Sequence, residues 1–195
     1  MSFRKELKFS TNIKQLKDLK LKFIKNNAKI LYPKRKVESI YFDNKIKTSF
    51  KDSEEGIVPR KKIRIRNYPK TSKINLLEKK ISSIEGRFKT SESINDETKN
   101  YFIKNGIFDK DYGVLSPIVK VVYLREYFTF NNIRLTFDTE IEYFNFQNNL
   151  KVNDDNNVLE LKGNFEIGDD YFNSILNLPF NRFSKYCRSI IKLYI

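Results

Sequence analysis

One stretch, Arg60–Tyr68, limits what this chain can fold into more than any other. If it forms a β-strand, its side chains alternate between two faces with a period of two residues. One face then carries Arg60, Lys62, Arg64, Arg66 and Tyr68, and the other carries Lys61, Ile63, Ile65 and Asn67. Cations so close together repel each other, so carboxylates across the sheet, solvent or a bound polyanion must compensate their charge.

The same alternation recurs along the chain. Charged or polar residues two positions apart, most of them flanking an apolar residue, occur in Glu6-Leu7-Lys8, Glu78-Lys79-Lys80, Arg87-Phe88-Lys89, Tyr123-Leu124-Arg125, Arg134-Leu135-Thr136-Phe137-Asp138 and Glu160-Leu161-Lys162. A solvated outer face explains one such strand. A sheet in which every strand has an apolar side and a charged side can instead close with its charges inward, so the pattern predicts a basic tunnel.

The charge balance indicates an anionic partner. The formal net charge is +14, and residues 1–90 hold 26 Lys and Arg against 9 Asp and Glu. Such an excess favours nucleic acid, a membrane surface or a phosphate polymer. The chain has no histidine, which excludes an imidazole base, phosphohistidine and histidine metal ligands. Its six glycines are scattered and form no glycine-rich phosphate loop.

Length and composition predict one domain spanning residues 1–195, long enough to bury a core. No run of about 18 apolar residues is present, so the sequence predicts no transmembrane segment. The polar N-terminus argues against a secretory signal, and the single cysteine, Cys187, fits a reducing compartment. These features predict a cytoplasmic protein in which Cys187 is a small buried side chain.

Local patterns predict the order of the elements. A strand over 2–9 precedes a helix from Ile13 to about Asn26. A break at Pro33 precedes strands over 37–42 and 45–51, and a loop over 52–59 leads into the Arg60 strand. Strands over 72–81 and 84–90 are followed by a helix over 93–105, with Tyr101 and Phe102 as its core anchors. A hairpin turns at Asn131-Asn132 between strands 116–130 and 133–143. A polar segment over 145–157, a strand over 158–162 and a short helix from Gly168 to Pro179 follow. The tail over 182–195 is compatible with strand or helix.

Without histidine, the side chains available for chemistry are Arg, Lys, carboxylates and Tyr. These side chains suit phosphate binding together with a hard divalent cation held by oxygen. The chain resembles the VTC domain, the polyphosphate polymerase domain within the triphosphate tunnel metalloenzymes. The resemblance spans Arg4 to Tyr186 in an ordered series of individually weak motifs: Arg4-x-Glu6-x-Lys8, Tyr41-Phe42-Asp43, Arg60-x-x-x-Arg64-x-Arg66-x-Tyr68, Glu78-x-Lys80, Lys89, Tyr123-x-Arg125-x-Tyr127, Arg134-x-Thr136-x-Asp138, Leu159-Glu160-Leu161-Lys162 and Ser184-Lys185-Tyr186.

This resemblance implies an α+β fold, a closed eight-stranded antiparallel β-barrel tunnel with flanking helices. It also implies metal-dependent transfer of the ATP γ-phosphate onto a polyphosphate chain, with Mn²⁺ or Mg²⁺ as cofactor. By the same resemblance, the residues gripping the phosphates in catalysis would be Lys8, Arg64, Arg66, Lys80, Lys89, Arg125, Arg134 and Lys185. Further substrate contacts would come from Glu6, Arg60, Lys62, Tyr123, Lys162 and Ser184. Glu160 would hold the metal.

Some roles and partners stay open at this stage. Glu78 and Lys162 fit structural ion pairs as well as substrate contacts, and Asp138 is better read as an arginine partner than as a second metal ligand. The expected partners are ATP or another triphosphate and polyphosphate, with no specific nucleic acid. The expected partners also include a membrane or an assembly partner that this sequence does not encode.

Two alternative functions remain open. The broader tunnel family often begins with Glu-x-Glu-x-Lys, whereas this chain has Arg4 at the first position, which favours the polymerase over a metal-dependent inorganic or nucleoside triphosphatase. A non-catalytic polyanion-binding module is the third reading. Tyr68, Tyr123 and Tyr127 interleave with basic residues as base stacking requires, but the sequence shows no recognisable nucleic-acid module.

Overall fold

The computed structural model describes residues 4–69, 72–164, 176 and 183–195 of the chain. The strands are β1 (Arg4–Thr11), β2 (Lys29–Asp43), β3 (Arg60–Tyr68), β4 (Ser72–Ser82), β5 (Arg87–Ile94), β6 (Ile107–Asp109), β7 (Gly113–Phe130), β8 (Ile133–Asn145), β9 (Lys151–Asn153) and β10 (Asn157–Asn164). The helices are α1 (Ile13–Lys25), α2 (Thr48–Glu55), α3 (Asp96–Asn105) and α4 (Lys185–Tyr194). This content confirms a sheet-dominated α+β fold.

The strands form one ten-stranded sheet, whose main path runs β1-β10-β8-β7-β2-β3-β4-β5. The strand β6 pairs with β7, and β9 pairs with β8. The prediction of a closed eight-stranded barrel was wrong in both strand number and closure. Within the described residues β1 and β5 are the ends of the path and no ladder joins them, because alternation specifies the faces of a strand and not its neighbours.

The chain divides into two compact units. Unit 1 comprises Met1–Arg35, Tyr123–Ile141 and Asp154–Phe183, and unit 2 comprises Lys36–Val122, Glu142–Asn153 and Ser184–Ile195.

In unit 1, α1 packs on the apolar face of the sheet. Leu16 and Phe23 of α1 join a buried cluster with Phe9, Phe128, Ile133, Leu135, Phe137, Leu159, Leu161 and Leu176. The ring of Phe23 lies 6.4 Å from that of Phe137 in an edge-to-face contact. Because these sheet residues alternate with charged ones, burying them turns the charged residues of β1, β7, β8 and β10 to the opposite face.

Unit 2 repeats this division. Its core contains Phe42, Ile63, Ile65, Leu77, Ile94, Ile107 and Leu115, with Phe102 of α3 packed against it. Ile63 and Ile65 are almost fully buried, which confirms the alternation predicted for the Arg60 strand. Tyr101 was predicted as a second anchor of α3, but it is 61% exposed.

Three element predictions were wrong for identifiable reasons. The segment over 45–51 enters helix α2 instead of a strand, and the loop predicted over 52–59 begins as that helix. The buried residues of α2 are Ser49 and Ser53, so no apolar periodicity marks the helix. Pro33 lies inside β2, in a portion whose side chains are exposed and where the missing N–H is least costly. Alternation therefore detected only the buried half of β2.

The C-terminal tail resolves to helix α4, capped by Ser184, whose hydroxyl accepts a hydrogen bond from the Cys187 N–H. Cys187 is buried and unbridged, as predicted. The predicted helix starting at Gly168 lies outside the described residues apart from Leu176. Among the helices of the described residues, none has the length and the apolar run that a membrane crossing requires.

Candidate functional site

The charged face of unit 1 carries a group of six residues that we call the Glu160 cluster: Glu6, Lys8, Arg125, Asp138, Glu160 and Lys162. Strand register brings them together, since Lys8 pairs with Glu160, and Glu6 with Lys162, across β1 and β10. Asp138 lies opposite Val158 on the adjoining β8–β10 ladder. The cluster thus joins residues more than 100 positions apart in the chain.

Arg125 links the two buried carboxylates of this cluster. Its Nε lies 2.5 Å from Asp138 Oδ1, and its Nη2 lies 2.6 Å from Asp138 Oδ2 and 3.2 Å from Glu160 Oε2. Asp138 is thus a bidentate partner of an arginine, as the sequence favoured. The two carboxylates outweigh the effect of burial and raise the pKa of Arg125.

Glu160 is surrounded by cations. Lys162 Nζ lies 2.6 Å from Glu160 Oε1 and 3.6 Å from Glu6 Oε2, while Lys8 Nζ lies 3.0 Å from Glu6 Oε1. Burial raises the pKa of Glu160, but the charges of Lys162, Lys8 and Arg125 outweigh it and hold the pKa well below its usual range. Glu160 is therefore anionic at neutral pH.

Glu160 and its neighbours offer oxygen ligands of the kind that a hard divalent cation prefers. Buried Glu160 Oε1 and Thr136 Oγ1 lie on paired residues. Glu160 Oε1 is ion-paired with Lys162 Nζ at 2.6 Å, whereas Thr136 Oγ1 has no hydrogen-bond partner within the described residues. No three Asp, Glu, Cys or His side chains in the described part form a metal-binding group. One or two carboxylates with phosphate oxygens and water are a common Mg²⁺ arrangement, so Glu160, with Glu6 nearby, suits that ion.

The charged face of unit 2 carries a second group, which we call the Glu78 cluster: Arg64, Arg66, Glu78 and Lys89. Glu78 Oε2 accepts from Arg64 Nε at 2.7 Å and lies 3.7 Å from Arg66 Nη1. Its other oxygen, Oε1, accepts from Lys89 Nζ at 2.7 Å. Burial raises the pKa of Glu78, but Arg64, Arg66 and Lys89 together lower it far below its usual range.

The face around this carboxylate remains strongly basic. Across β3, β4 and β5, the ladder aligns Lys62 with Lys80 and Lys80 with Lys89. Like charges directly opposite each other destabilise a sheet. Lys62 Nζ donates to Ser184 Oγ at 3.0 Å, which brings the cap of α4 to this face. One carboxylate among six predicted phosphate-binding cations leaves an excess of positive charge that a polyanion can neutralise.

The predicted site residues therefore fall into two groups, each within one unit. Unit 1 holds Glu6, Lys8, Tyr123, Arg125, Arg134, Glu160 and Lys162. Unit 2 holds Arg60, Lys62, Arg64, Arg66, Lys80, Lys89, Ser184 and Lys185. Arg60 Nη1 donates to the backbone carbonyl of Ile57 at 2.9 Å, and the substrate contact of Arg60 stays a prediction.

Sequence reasoning gave no role to a buried network beside the Glu78 cluster. Tyr41 accepts a hydrogen bond from Arg64 Nη1 at 2.8 Å, and its ring stacks on Tyr186. The Tyr186 hydroxyl in turn bonds the buried carboxylate of Asp43. The motifs Tyr41-Phe42-Asp43 and Ser184-Lys185-Tyr186 were the available signal, but their separation in sequence hid the contact.

Known structures share this fold. A candidate adenylate cyclase from Bacillus halodurans superposes with a TM-score of 0.68 at 12% identity, covering 100% of this chain and 98% of that one. The PH1012 protein from Pyrococcus horikoshii gives 0.61 at 14% identity, covering 96% and 99%. HpAC1 from Hippeastrum, a candidate adenylyl cyclase with dominant triphosphatase activity, gives 0.58 at 14% identity, covering 97% and 96%.

The family assignment is more specific than the fold. The VTC domain family matches residues 3–113 and 106–194, which together span almost the whole chain. The chain therefore belongs to the VTC domain family, as the ordered motifs indicated. No curated protein matches the chain significantly.

Proposed function

We propose that this protein is a metal-dependent polyphosphate polymerase that transfers the γ-phosphate of ATP onto a polyphosphate chain. The observation that supports this most is the basic face of β3, β4 and β5, where the cations around Glu78 outnumber the carboxylates. Membership of the VTC domain family agrees with this substrate class. The fold alone does not distinguish polymer synthesis from hydrolysis, so the proposal depends on the charge arrangement and the family together.

The basic face would bind and orient the phosphate chain. Arg64 and Arg66 carry forked donors that match phosphate oxygens in pairs, whereas Lys62, Lys80 and Lys89 act as point charges. Glu78 holds Arg64 through both Nε and Nη2, which fixes the orientation of the guanidinium and of the N–H groups that these contacts leave available. A preorganised set of donors loses little freedom when the substrate binds, which favours reaction through positioning.

The phosphoryl transfer does not require a covalent intermediate with the protein. An oxygen of the terminal phosphate of the chain forms a bond to the γ-phosphorus of ATP, the bond to the β,γ-bridging oxygen breaks, and ADP leaves with that electron pair. Cations aimed at the phosphate oxygens stabilise the charge of the transition state. When bound, Mn²⁺ or Mg²⁺ would add charge neutralisation at the phosphates, and Glu160 is the residue we assign to hold it.

The related triphosphatase function is the second candidate, because HpAC1, which shares the fold, has a dominant triphosphatase activity. The two reactions differ in their products. Incubation of the purified protein with ATP and Mn²⁺, followed by measurement of ADP, orthophosphate and polymer, separates them. We expect ADP to form with polymer and little orthophosphate; equal amounts of ADP and orthophosphate without polymer would support the triphosphatase.

A Glu160→Gln variant is the matched control for this assay. It keeps the size of the side chain and removes the anionic oxygen that a hard cation requires. We expect loss of both products, with tripolyphosphate binding to the basic face retained in metal-free buffer. If the variant retained turnover at saturating Mn²⁺, Glu160 would not be the residue that holds the metal.

A further inference from the structure

We propose that Tyr41 is a positioning residue that aims Arg64 at the phosphate chain, and that Tyr186 holds Tyr41 in place by stacking. This inference rests on the proposed phosphate-binding role of the Glu78 cluster and adds residues to it that touch no substrate atom themselves.

Arg64 is held on two sides. Its Nε and Nη2 contact Glu78 Oε2 at 2.7 and 2.6 Å, and its Nη1 donates to the Tyr41 hydroxyl at 2.8 Å. Strand register explains both contacts, because Arg64 pairs with Tyr41 on β2 and with Glu78 on β4. Two anchors on different strands fix the plane of the guanidinium, and a single anchor would let it rotate about the Glu78 contact.

Tyr41 is fixed by its neighbours. Its ring centroid lies 5.1 Å from that of Tyr186, with the planes inclined by 23°. The Tyr186 hydroxyl donates to Asp43, and Asp43 also accepts the backbone N–H groups of Asn44, Ser49 and Phe50. Tyr186 and Asp43 are almost fully buried, so this arrangement has few alternatives in a packed core.

Electrostatics couple Tyr41 to the same cations. Burial raises the pKa of the Tyr41 phenol, but Arg64, Arg66 and Lys185 outweigh burial and lower it below its usual value. A phosphate bound to these cations would offset part of their charge. Tyr41 therefore reports the charge state of the site by its titration, which gives the inference a spectroscopic test.

Binding of tripolyphosphate in metal-free buffer, measured by calorimetry, is the first test. Tyr41→Phe keeps the ring and removes the acceptor of Arg64, and we expect the Kd to rise about tenfold, as for loss of a hydrogen bond to a charged group. Tyr112→Phe is the matched control: Tyr112 is a tyrosine of unit 2 that bonds Asp52 and the Lys61 N–H. The control should leave the Kd within about twofold.

Two further variants separate positioning from stability. Tyr186→Phe keeps the stacked ring and should retain tripolyphosphate affinity even if losing the Asp43 contact lowers the melting temperature. Tyr186→Leu removes the stack and should weaken binding as Tyr41→Phe does. In an Arg64→Lys background, Tyr41→Phe should cost little additional affinity, because the guanidinium that Tyr41 positions is gone.

An unchanged Kd in Tyr41→Phe, or a full additional loss in the Arg64→Lys background, overturns the inference. Alkaline titration of tyrosinate absorbance checks the Arg64–Tyr41 coupling without any assumption about function. Tyr41 should titrate earlier in wild-type protein than after Arg64 is changed to Gln, and its contribution should be absent from Tyr41→Phe. Titration that is identical in these proteins also overturns the inference. If the coupling is present but wild-type protein makes no polymer, the proposed function fails and the inference stands.

Discussion

Replacing Glu78 with glutamine tests the idea that this carboxylate holds mutually repelling cations together in the absence of substrate. Glu78 is 2% exposed and contacts Arg64, Arg66 and Lys89. Glutamine keeps the shape and removes the negative charge. The folded protein would then retain three mutually repelling cations with no carboxylate between them, so we expect Glu78→Gln to be less stable than wild type at neutral pH.

The structure sets the size of this loss. Removing one partner of a buried ion pair costs about 3–5 kcal/mol of unfolding free energy. Lys89 is 52% exposed and its share is screened by water, which favours the lower end, about 3 kcal/mol. For a chain of 195 residues each kcal/mol shifts the melting temperature by about 2–4 °C, so we expect a decrease of about 6–12 °C.

Thermal melts with and without tripolyphosphate provide the assay. At 100–1,000 times the wild-type Kd the ligand should stabilise wild type by about 3–4 kcal/mol, and at that same concentration it should stabilise Glu78→Gln by more, because the polyanion replaces the missing charge. Glu142→Gln is the control, since its pair with Lys151 is partly exposed and contributes at most about 1 kcal/mol. Melting of Glu78→Gln within the range of this control would refute the counter-ion role of Glu78.

Three further results are expected. Arg66→Lys should lower kcat/KM for ATP although charge is kept, because lysine lacks the forked donors; wild-type kinetics would mean that point charge suffices. The lowered pKa of Glu78 means that its contribution to stability is full above the usual glutamate value of 4.5 and is lost as pH falls below it, so acid melts of wild type should lose stability over that range more than those of Glu78→Gln. The melting shift with tripolyphosphate should survive about 0.3 M NaCl because Arg66 and Glu78 are largely buried, whereas a shift with duplex DNA should be small and sensitive to salt; equal, salt-sensitive shifts would favour a surface polyanion binder.

Most of what the sequence could predict about the sheet came from the alternation of apolar and charged residues with a period of two. It identified β3 and the hairpin of β7 and β8, and the structure buries Ile63 and Ile65 as that pattern requires. The alternation worked because each of these strands has one apolar face packed on a core. It also placed the charged residues on the opposite face before any partner strand was known.

The remaining features depend on contacts that alternation does not encode. Helix α2 buries serines, and the N–H groups of its first turn donate to the side chains of Asn44 and Asp43, so its sequence resembles a polar loop. The pairing of Lys8 with Glu160 and the contact of Tyr186 with Asp43 join distant parts of the chain. The order of the strands and the packing of the helices decide which distant residues become neighbours. Local sequence patterns do not contain this information, because it depends on the complete fold.

Phosphorus NMR of a reaction containing the protein, ATP and Mn²⁺ tests the central claim most directly. Phosphates inside a chain resonate apart from the phosphates of ATP, ADP and orthophosphate, so one time course records substrate and every product. We predict that internal-chain signals grow as ATP is converted to ADP, and that Glu160→Gln gives none. Conversion of ATP to ADP and orthophosphate without internal-chain signals, or no conversion at all, would contradict the assignment as a polyphosphate polymerase.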